Sequence, residues 1–258
     1  MEARKLRSVI IVGMILSGLL IPGLACNLVR LRPTASPAPT VTKAPQPTAR
    51  PTATPFVQST TKSPVGKSLL STPPLAKGIA GWKQWLQGGS RVAGHNEVRR
   101  VDDPTYGKVV EFSRTAGGND GGAAGIYQSL NTVDVSDYPH LYVRLVGKVL
   151  DEKGGNLANS NPTWFPEGAV QVRVKYLTSN EKEQEWYHGF YAWPVPGADA
   201  DHFTRVSRGE WFTYVSPDLT TLPERPRYIT EFRVYGFGWE FRGQVAEVEL
   251  IGSSVGQP

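Results

Sequence analysis

Cysteine is almost absent from this chain of 258 residues, in which Cys26 is the single example. One cysteine excludes an intramolecular disulfide and a cysteine-rich zinc site. Acidic residues are missing from residues 26–76, which hold six Lys and Arg, whereas residues 77–258 hold 19 Lys and Arg against 22 Asp and Glu. The net charge of +5 therefore belongs to the first 76 residues, and a basic nucleic-acid-binding domain is disfavoured.

The first 25 residues have the pattern of an export signal. Arg4, Lys5 and Arg7 precede an uncharged, mostly apolar run that ends in Gly23-Leu24-Ala25-Cys26. This pattern resembles the leaders of bacterial lipoproteins, with Gly23 at the position where that family usually has leucine. The resemblance implies that Cys26 is lipidated and anchors the chain to the outer side of the bacterial cell membrane. An uncleaved transmembrane anchor and simple secretion are the alternatives.

A proline- and threonine-rich segment follows. Residues 31–76 contain 10 Pro and 9 Thr in 46 residues and almost no aromatic residue. Such a segment cannot bury enough apolar surface to offset its ordering entropy, so we expect a lipid-anchored, disordered linker over residues 26–76. All 7 Trp, all 10 Tyr and 8 of the 9 Phe come later, so residues 77–258 are expected to form the folded domain.

The domain reads as β-structure throughout. Eight segments rich in Val, Tyr, Phe and Ile alternate with Gly, Pro, Asn and Asp clusters: 107–112, 125–130, 140–148, 169–178, 184–191, 210–215, 227–237 and 244–251. No stretch repeats its apolar residues at helical spacing over three turns. The sequence therefore predicts an all-β fold, an antiparallel β-sandwich of the jelly-roll type.

Alternation within three of these strands assigns side chains to faces. The inward set is Leu141, Val143, Leu145, Val170, Val172, Val174, Tyr176, Phe232, Val234 and Gly236. Lys148 is assigned outward, together with the set Tyr142, Arg144, Gln171, Arg173, Lys175, Glu231, Arg233 and Tyr235. If the three strands are neighbours, the outward set forms one polar, aromatic sheet surface.

The order of these segments resembles the galactose-binding-like jelly roll. The resemblance covers roughly residues 81–252 and rests on segments such as Gly125-Ile-Tyr-Gln-Ser-Leu, Val170-Gln-Val-Arg-Val-Lys-Tyr and Ile229-Thr-Glu-Phe-Arg-Val-Tyr-Gly-Phe-Gly-Trp. That superfamily includes many carbohydrate-binding modules and a complex I assembly-factor domain. It implies a binding module, and because its members often hold a structural Ca²⁺, it suggests Asn119, Asp120 and Asp134 as oxygen ligands.

Residues suited to catalysis are scattered. His95, His140, His188 and His202 form no zinc motif, and His188 is expected to be structural. The carboxylates of residues 181–185 fit a solvated hairpin better than a glycosidase pair. We therefore expect no catalytic residue and no enzymatic activity.

Carbohydrate binding needs only an exposed aromatic ring with hydrogen-bonding side chains around it. The candidate ligand-binding set is Tyr142, Arg144, Gln171, Arg173, Lys175, Glu231, Arg233, Tyr235 and Trp239. Trp164 and Trp193 are further loop candidates, whereas Trp82, Trp85 and Trp211 are assigned to the core. The alternative for the charged residues is a solvated sheet face with cross-strand ion pairs.

The leading functional hypothesis is a non-enzymatic lipoprotein of the cell envelope that binds a carbohydrate or cell-wall polymer. The alternatives are an assembly module that docks a protein partner on the same face and an envelope glycan hydrolase. A partner nucleic acid is not expected.

Overall fold

The computed structural model describes residues 63–71, 75–88, 95–115, 117–118, 120–154, 157–158 and 166–256. These residues all belong to one compact unit of the chain, Ala53–Pro258. The export signal expected over residues 1–25, the expected lipidation site Cys26 and most of the predicted linker lie outside the described residues. Among the helical segments that are described, none is long and apolar enough to span a bilayer.

The described residues form twelve strands, which are β1 (Lys67–Ser68), β2 (Lys83–Gln87), β3 (His95–Asp103), β4 (Gly107–Thr115), β5 (Gly122–Asp134), β6 (His140–Lys153), β7 (Gly168–Leu177), β8 (Glu183–Tyr191), β9 (Phe203–Arg205), β10 (Trp211–Val215), β11 (Tyr228–Gly238) and β12 (Glu240–Ser253). Two 3₁₀ turns, Leu75–Lys77 and Leu219–Thr221, complete the regular structure of this part of the chain. All eight predicted strands are present.

The strands form two six-stranded sheets. Sheet A has the order β10-β6-β12-β4-β3, with β1 paired to β12, and sheet B has the order β2-β5-β11-β7-β8-β9. Neighbouring strands are antiparallel, except that β8 and β9 run parallel. The predicted all-β antiparallel sandwich is confirmed.

The core lies between the two sheets. The apolar side chains of the inward sets predicted for β6, β7 and β11 are all buried in it, and Gly236 is buried as well. Phe190 of sheet B contacts Phe212 of sheet A with ring centroids 4.5 Å apart. Gly236 of sheet B lies against the ring of Phe241 in sheet A, where an added Cβ would be 2.4 Å from a ring carbon. The missing side chain lets the sheets approach closely at this point.

The strands that the sequence did not reveal are short or lie at sheet edges. Strands β1 and β9 have only two and three residues, and β2 and β3 each lie at one edge of sheets B and A, respectively. The sequence of β3, His-Asn-Glu-Val-Arg-Arg-Val-Asp-Asp, is mostly polar and charged. Charged edge strands prevent pairing with other chains, and they carry little hydrophobic signal.

The ordered region begins before residue 77, the boundary expected from composition. Lys67 and Ser68 pair with Gly252 and Ile251 of β12. Leu70 and Leu75 are buried in the main core. The unfolded linker predicted for residues 26–76 is therefore wrong for this last part, because apolar residues just before and after the Thr72-Pro73-Pro74 segment add to the sandwich.

Candidate functional site

The outer face of sheet B carries three rows of side chains that cross the strands in register. The middle row, across β5, β11, β7 and β8, is Tyr127, Arg233, Arg173 and Tyr187. The row on one side, starting from β2, is Trp85, Gly125, Tyr235, Gln171 and Gly189. The row on the other side is Ser129, Glu231, Lys175 and Glu185. Alternation brings these residues to one surface because every second side chain of a strand shares a face.

Arg233 lies at the centre of this surface. Its guanidinium carbon is 3.9 Å from the centroid of the Trp85 ring and 5.7 Å from that of Tyr127. Its Nη2 donates a hydrogen bond of 2.7 Å to Glu231 Oε1. The cation thus packs against aromatic rings, an arrangement that restricts its rotamers and is favourable in itself.

Arg173 is directly opposite Arg233 on the neighbouring strand. Its guanidinium carbon is 5.5 Å from the centroid of the Tyr235 ring, and its Nη1 is 3.5 Å from Glu185 Oε2. Like charges directly opposite each other destabilise a sheet. Here each arginine has a carboxylate and at least one aromatic ring nearby that oppose the repulsion.

Tyr235 forms the floor of the surface and is only 2% exposed. Its hydroxyl donates a hydrogen bond of 3.1 Å to Gln171 Oε1, and Gln171 Nε2 in turn donates to the carbonyl of Pro166 at 3.1 Å. Burial raises the pKa of Tyr235, although the nearby Arg173 lowers it, so the hydroxyl remains a donor at neutral pH.

Gly125 lies between Trp85 and Tyr235 in the sheet. Because it has no side chain, the two rings contact each other across it. It pairs with both residues across β2 and β11. The rings touch edge to face, with centroids 5.2 Å apart and planes at 80°. An added Cβ would lie 2.4 Å from Tyr235 Cβ, so a larger residue does not fit at this position.

These residues surround a shallow depression of about 150 Å³, lined by Trp85, Gln87, Pro166, Arg173, Arg233, Tyr235 and Phe237. A second, larger depression of about 330 Å³ lies where β7 ends and β8 begins and is lined by Lys175, Tyr176, Glu183, Gln184, Glu185 and Thr230. The first offers an aromatic edge and guanidinium donors together. This combination suits the apolar face and the hydroxyl rim of a sugar ring.

The structure brings together six of the nine side chains in the candidate ligand-binding set. They are Gln171, Arg173, Lys175, Glu231, Arg233 and Tyr235, which occupy neighbouring positions on β7 and β11. Gln171 and Tyr235 are buried beneath the surface, so they support it and do not present themselves to solvent.

Tyr142 and Arg144 do not belong to this surface, and their assignment to it was wrong. Both lie on β6, which pairs with β10 and β12 in the opposite sheet. Tyr142 is 3% exposed, and Arg144 forms ion pairs with Glu247 at 2.6 Å and Glu249 at 3.3 Å. Alternation correctly placed both side chains on an outer face, but it contains no information about which sheet a strand joins.

Two of the tryptophans assigned to the core lie elsewhere in the structure. Trp82 is in the core, but Trp85, which was expected there, is a half-buried part of the outer surface, and so is the unpredicted Tyr127. Trp211 packs on the outer face of sheet A. The polar neighbours Lys83, Gln84 and Gln87 were the available signal that β2 is an edge strand.

The loop tryptophans do not line the depression. Trp239 is half-buried between β11 and β12 and donates its backbone N–H to the Lys153 carbonyl at 3.1 Å. Trp193 is exposed, with the Arg208 guanidinium carbon 5.1 Å from its ring centroid. Trp164 lies outside the described residues.

The proposed calcium ligands do not converge. Asp120 precedes the first residue of β5 and Asp134 is its last residue, so roughly 40 Å of extended strand separates them. Asp134 is paired with Arg227 at 2.9 Å, and Asn119 lies outside the described residues. In the described ranges, no group of three or more His, Cys, Asp and Glu side chains is arranged to hold a metal ion. The predicted set therefore does not fit a common calcium site.

No family model and no curated protein matches this chain. Among solved structures, the chain is similar to a carbohydrate-binding module of the β-sandwich superfamily, with 10% identity, 73% of this chain and 62% of that chain covered, and a TM-score of 0.40. It is similar to the enzymatically active domain of tailspike protein 4 of bacteriophage CBA120, with 12% identity, 71% and 21% coverage, and a TM-score of 0.39.

It is also similar to the CBM22-1 xylan-binding domain of Xyn10C from Paenibacillus barcinonensis, with 13% identity, 75% and 100% coverage, and a TM-score of 0.38. The chain spans less than two thirds of the length of the first two structures. Because these TM-scores and identities are low, what this chain binds has to be argued from its own residues.

Proposed function

We propose that this chain binds a carbohydrate polymer, without changing it chemically, through the outer face of sheet B. One observation carries the proposal: Arg173 and Arg233 lie side by side against aromatic rings, beside the half-buried Trp85, in a depression of about 150 Å³. An aromatic ring packs on the C–H face of a pyranose, and guanidinium N–H groups donate to its hydroxyls.

Binding without catalysis is supported by the state of the carboxylates. Glu231 lies 2.7 Å from Arg233, and Glu185 lies 3.5 Å from Arg173. Hydrolysis of a glycosidic bond requires one carboxyl group as acid and another as base or nucleophile. The carboxylates that border the first depression serve instead as partners of the arginines that would hold the sugar.

Affinity electrophoresis of the full chain through gels that contain different plant and bacterial polysaccharides tests the proposal. We expect retention by at least one polymer and a loss of about tenfold or more in affinity for Trp85→Ala, because a central aromatic contact is removed. Leu86→Ala is the matched control, since Leu86 is the adjacent, exposed residue on β2 and does not line the depression. If no polymer retains the chain, the protein-docking alternative is favoured.

We further propose that Cys26 carries a lipid and that the chain is attached to the outer side of the bacterial membrane. The basic, apolar and small-residue pattern of residues 1–26 supports this proposal. Two or three acyl chains, at about 0.8 kcal/mol per buried CH₂, provide stable attachment. We expect cell fractionation to find the chain with the membranes and its intact mass to include the lipid. The Cys26→Ala chain should lack that added mass. An unmodified Cys26 in the mature chain would contradict the proposal.

A further inference from the structure

The first depression on sheet B is a local positive site on a domain of opposite charge. Arg173 and Arg233 are the only charged residues that line it, although Glu231 is paired with Arg233 at its margin. Residues 77–258 as a whole carry 19 Lys and Arg against 22 Asp and Glu. Two cations concentrated in one concave place attract an anion, and the low-dielectric walls strengthen that attraction.

The two guanidinium groups have hydrogen-bonding capacity left. Each guanidinium has five N–H groups. Arg233 donates to Glu231 through Nη2, and the closest carboxylate to Arg173, Glu185, is 3.5 Å away and largely exposed. Arg173 also hydrogen-bonds to Tyr235, and Nε of each arginine is buried without a hydrogen-bond partner among the described residues, so the Nη groups are the donors that a ligand can reach. The internal carboxylates therefore satisfy this pair only in part.

A neutral sugar uses the donors of these arginines but leaves their mutual repulsion unchanged. An anionic group between them accepts charge-assisted hydrogen bonds and also reduces the repulsion between directly opposed like charges. The Trp85 ring, whose centroid is 3.9 Å from the guanidinium carbon of Arg233, holds the guanidinium in place for such contacts.

We propose that the polymer bound by sheet B is an anionic polysaccharide, and that Arg173 and Arg233 bind its acidic groups while Trp85 packs against the adjacent sugar ring. This inference rests on the proposed function and specifies its ligand. Carboxylated and sulfated sugars share the required chemistry, and the experiment below distinguishes them.

The sharpest test compares one polymer with and without its charge. Binding of the full chain is measured to polygalacturonate, to its fully methyl-esterified form, to dextran sulfate and to a neutral galactan. We expect affinity for polygalacturonate to exceed that for the methyl ester by about tenfold or more, and to fall as NaCl rises from about 50 to 500 mM. Preference for dextran sulfate over polygalacturonate would assign the site to sulfated sugars.

Variants connect the preference to the site. Arg173→Gln and Arg233→Gln are each expected to lower affinity for polygalacturonate by about tenfold and to remove most of its salt dependence. Arg144→Gln is the matched control, because it removes the same charge from the outer face of sheet A, where Arg144 is paired with Glu247. Unchanged far-UV and near-UV circular dichroism identifies variants that remain folded, and the esterification comparison needs no variant at all.

The outcomes separate the two proposals. Equal binding of polygalacturonate and its methyl ester, with both lost in Trp85→Ala, would overturn the anionic preference and leave the proposed function standing. An equal loss in Arg144→Gln would show non-specific attraction and would also overturn the inference. Failure to bind any of the four polymers, or the polysaccharides of the earlier screen, would instead contradict the proposed function.

Discussion

His188 is a buried histidine whose charge state affects folding. Its ring is stacked on Tyr214 with centroids 4.5 Å apart, and its Nε2 lies 2.8 Å from Thr204 Oγ1. Burial lowers the pKa of His188 from 6.5 to about 4. Between these pH values the unfolded chain binds more protons than the folded chain, so the stabilisation is complete above about pH 6.5 and is lost as the pH falls toward 4.

We therefore expect the free energy of unfolding to decrease between pH 7 and pH 4, with a contribution from His188 on the order of 3 kcal/mol. Urea unfolding at several pH values measures this decrease. His188→Gln cannot be protonated, so its stability should depend less on pH over the same interval. The exposed His95 provides the control variant His95→Gln, which should behave like the natural chain. Parallel pH profiles for the natural chain and His188→Gln would contradict the assignment.

The hydroxyl of Tyr235 supports the floor of the binding face from below. Tyr235→Phe removes the donor to Gln171 Oε1, a group that is fully buried. Because an unsatisfied buried acceptor is costly, we expect the free energy of unfolding to fall by about 1–2 kcal/mol in chemical denaturation. Tyr127→Phe, a change to a half-buried tyrosine on the same face, should alter stability much less. A similar loss in both variants would show that the hydrogen bond to Gln171 is not the cause.

At the scale of the strand, β5 depends on the small size of Gly125. An added Cβ would be 2.3 Å from the Val234 carbonyl oxygen and 2.4 Å from Tyr235 Cβ. We expect Gly125→Ala to lower the free energy of unfolding by about 2 kcal/mol or more, because β5 and β11 must separate. Gly256→Ala is the comparison, since its nearest neighbour would be an ordinary contact at 3.5 Å. Thermal unfolding of the two variants measures the difference.

Strand alternation made the inner and outer faces predictable, but not the partners of each strand. Val170, Val172 and Val174 alternate with polar residues, and burial of an apolar set on one face decides their direction. Tyr142 follows the same rule and still lies on the other sheet, since strand order depends on long-range pairing. Trp85 was missed because its strand is a short edge with a polar sequence, which has no apolar alternation.

At the scale of the whole molecule, composition predicted the domain but placed its beginning too late. The fold uses Leu70 and Leu75 in its core, although they belong to a segment with the composition of a linker. Composition is an average over a long segment. Two leucines that pack between the sheets therefore change it too little to be noticed.

The burial of Leu70 and Leu75 predicts how truncated chains behave. A chain that begins at residue 63 should be as stable as one that begins at residue 26, whereas a chain that begins at residue 77 lacks β1 and both leucines. Burial of each leucine contributes about 1.5–3 kcal/mol, so we expect the shortest chain to lose about 3 kcal/mol or more. Urea unfolding of the three chains measures this. Equal stability of all three would contradict the role given to residues 67–75.

Strand β1 joins the middle of sheet A, where it pairs with the last residues of β12. The described chain thus enters and leaves the sandwich at neighbouring places on one sheet, while the surface proposed to hold the polymer is on the other. A fusion partner, an affinity tag or a solid support joined to either end would leave the outer face of sheet B open to a long ligand.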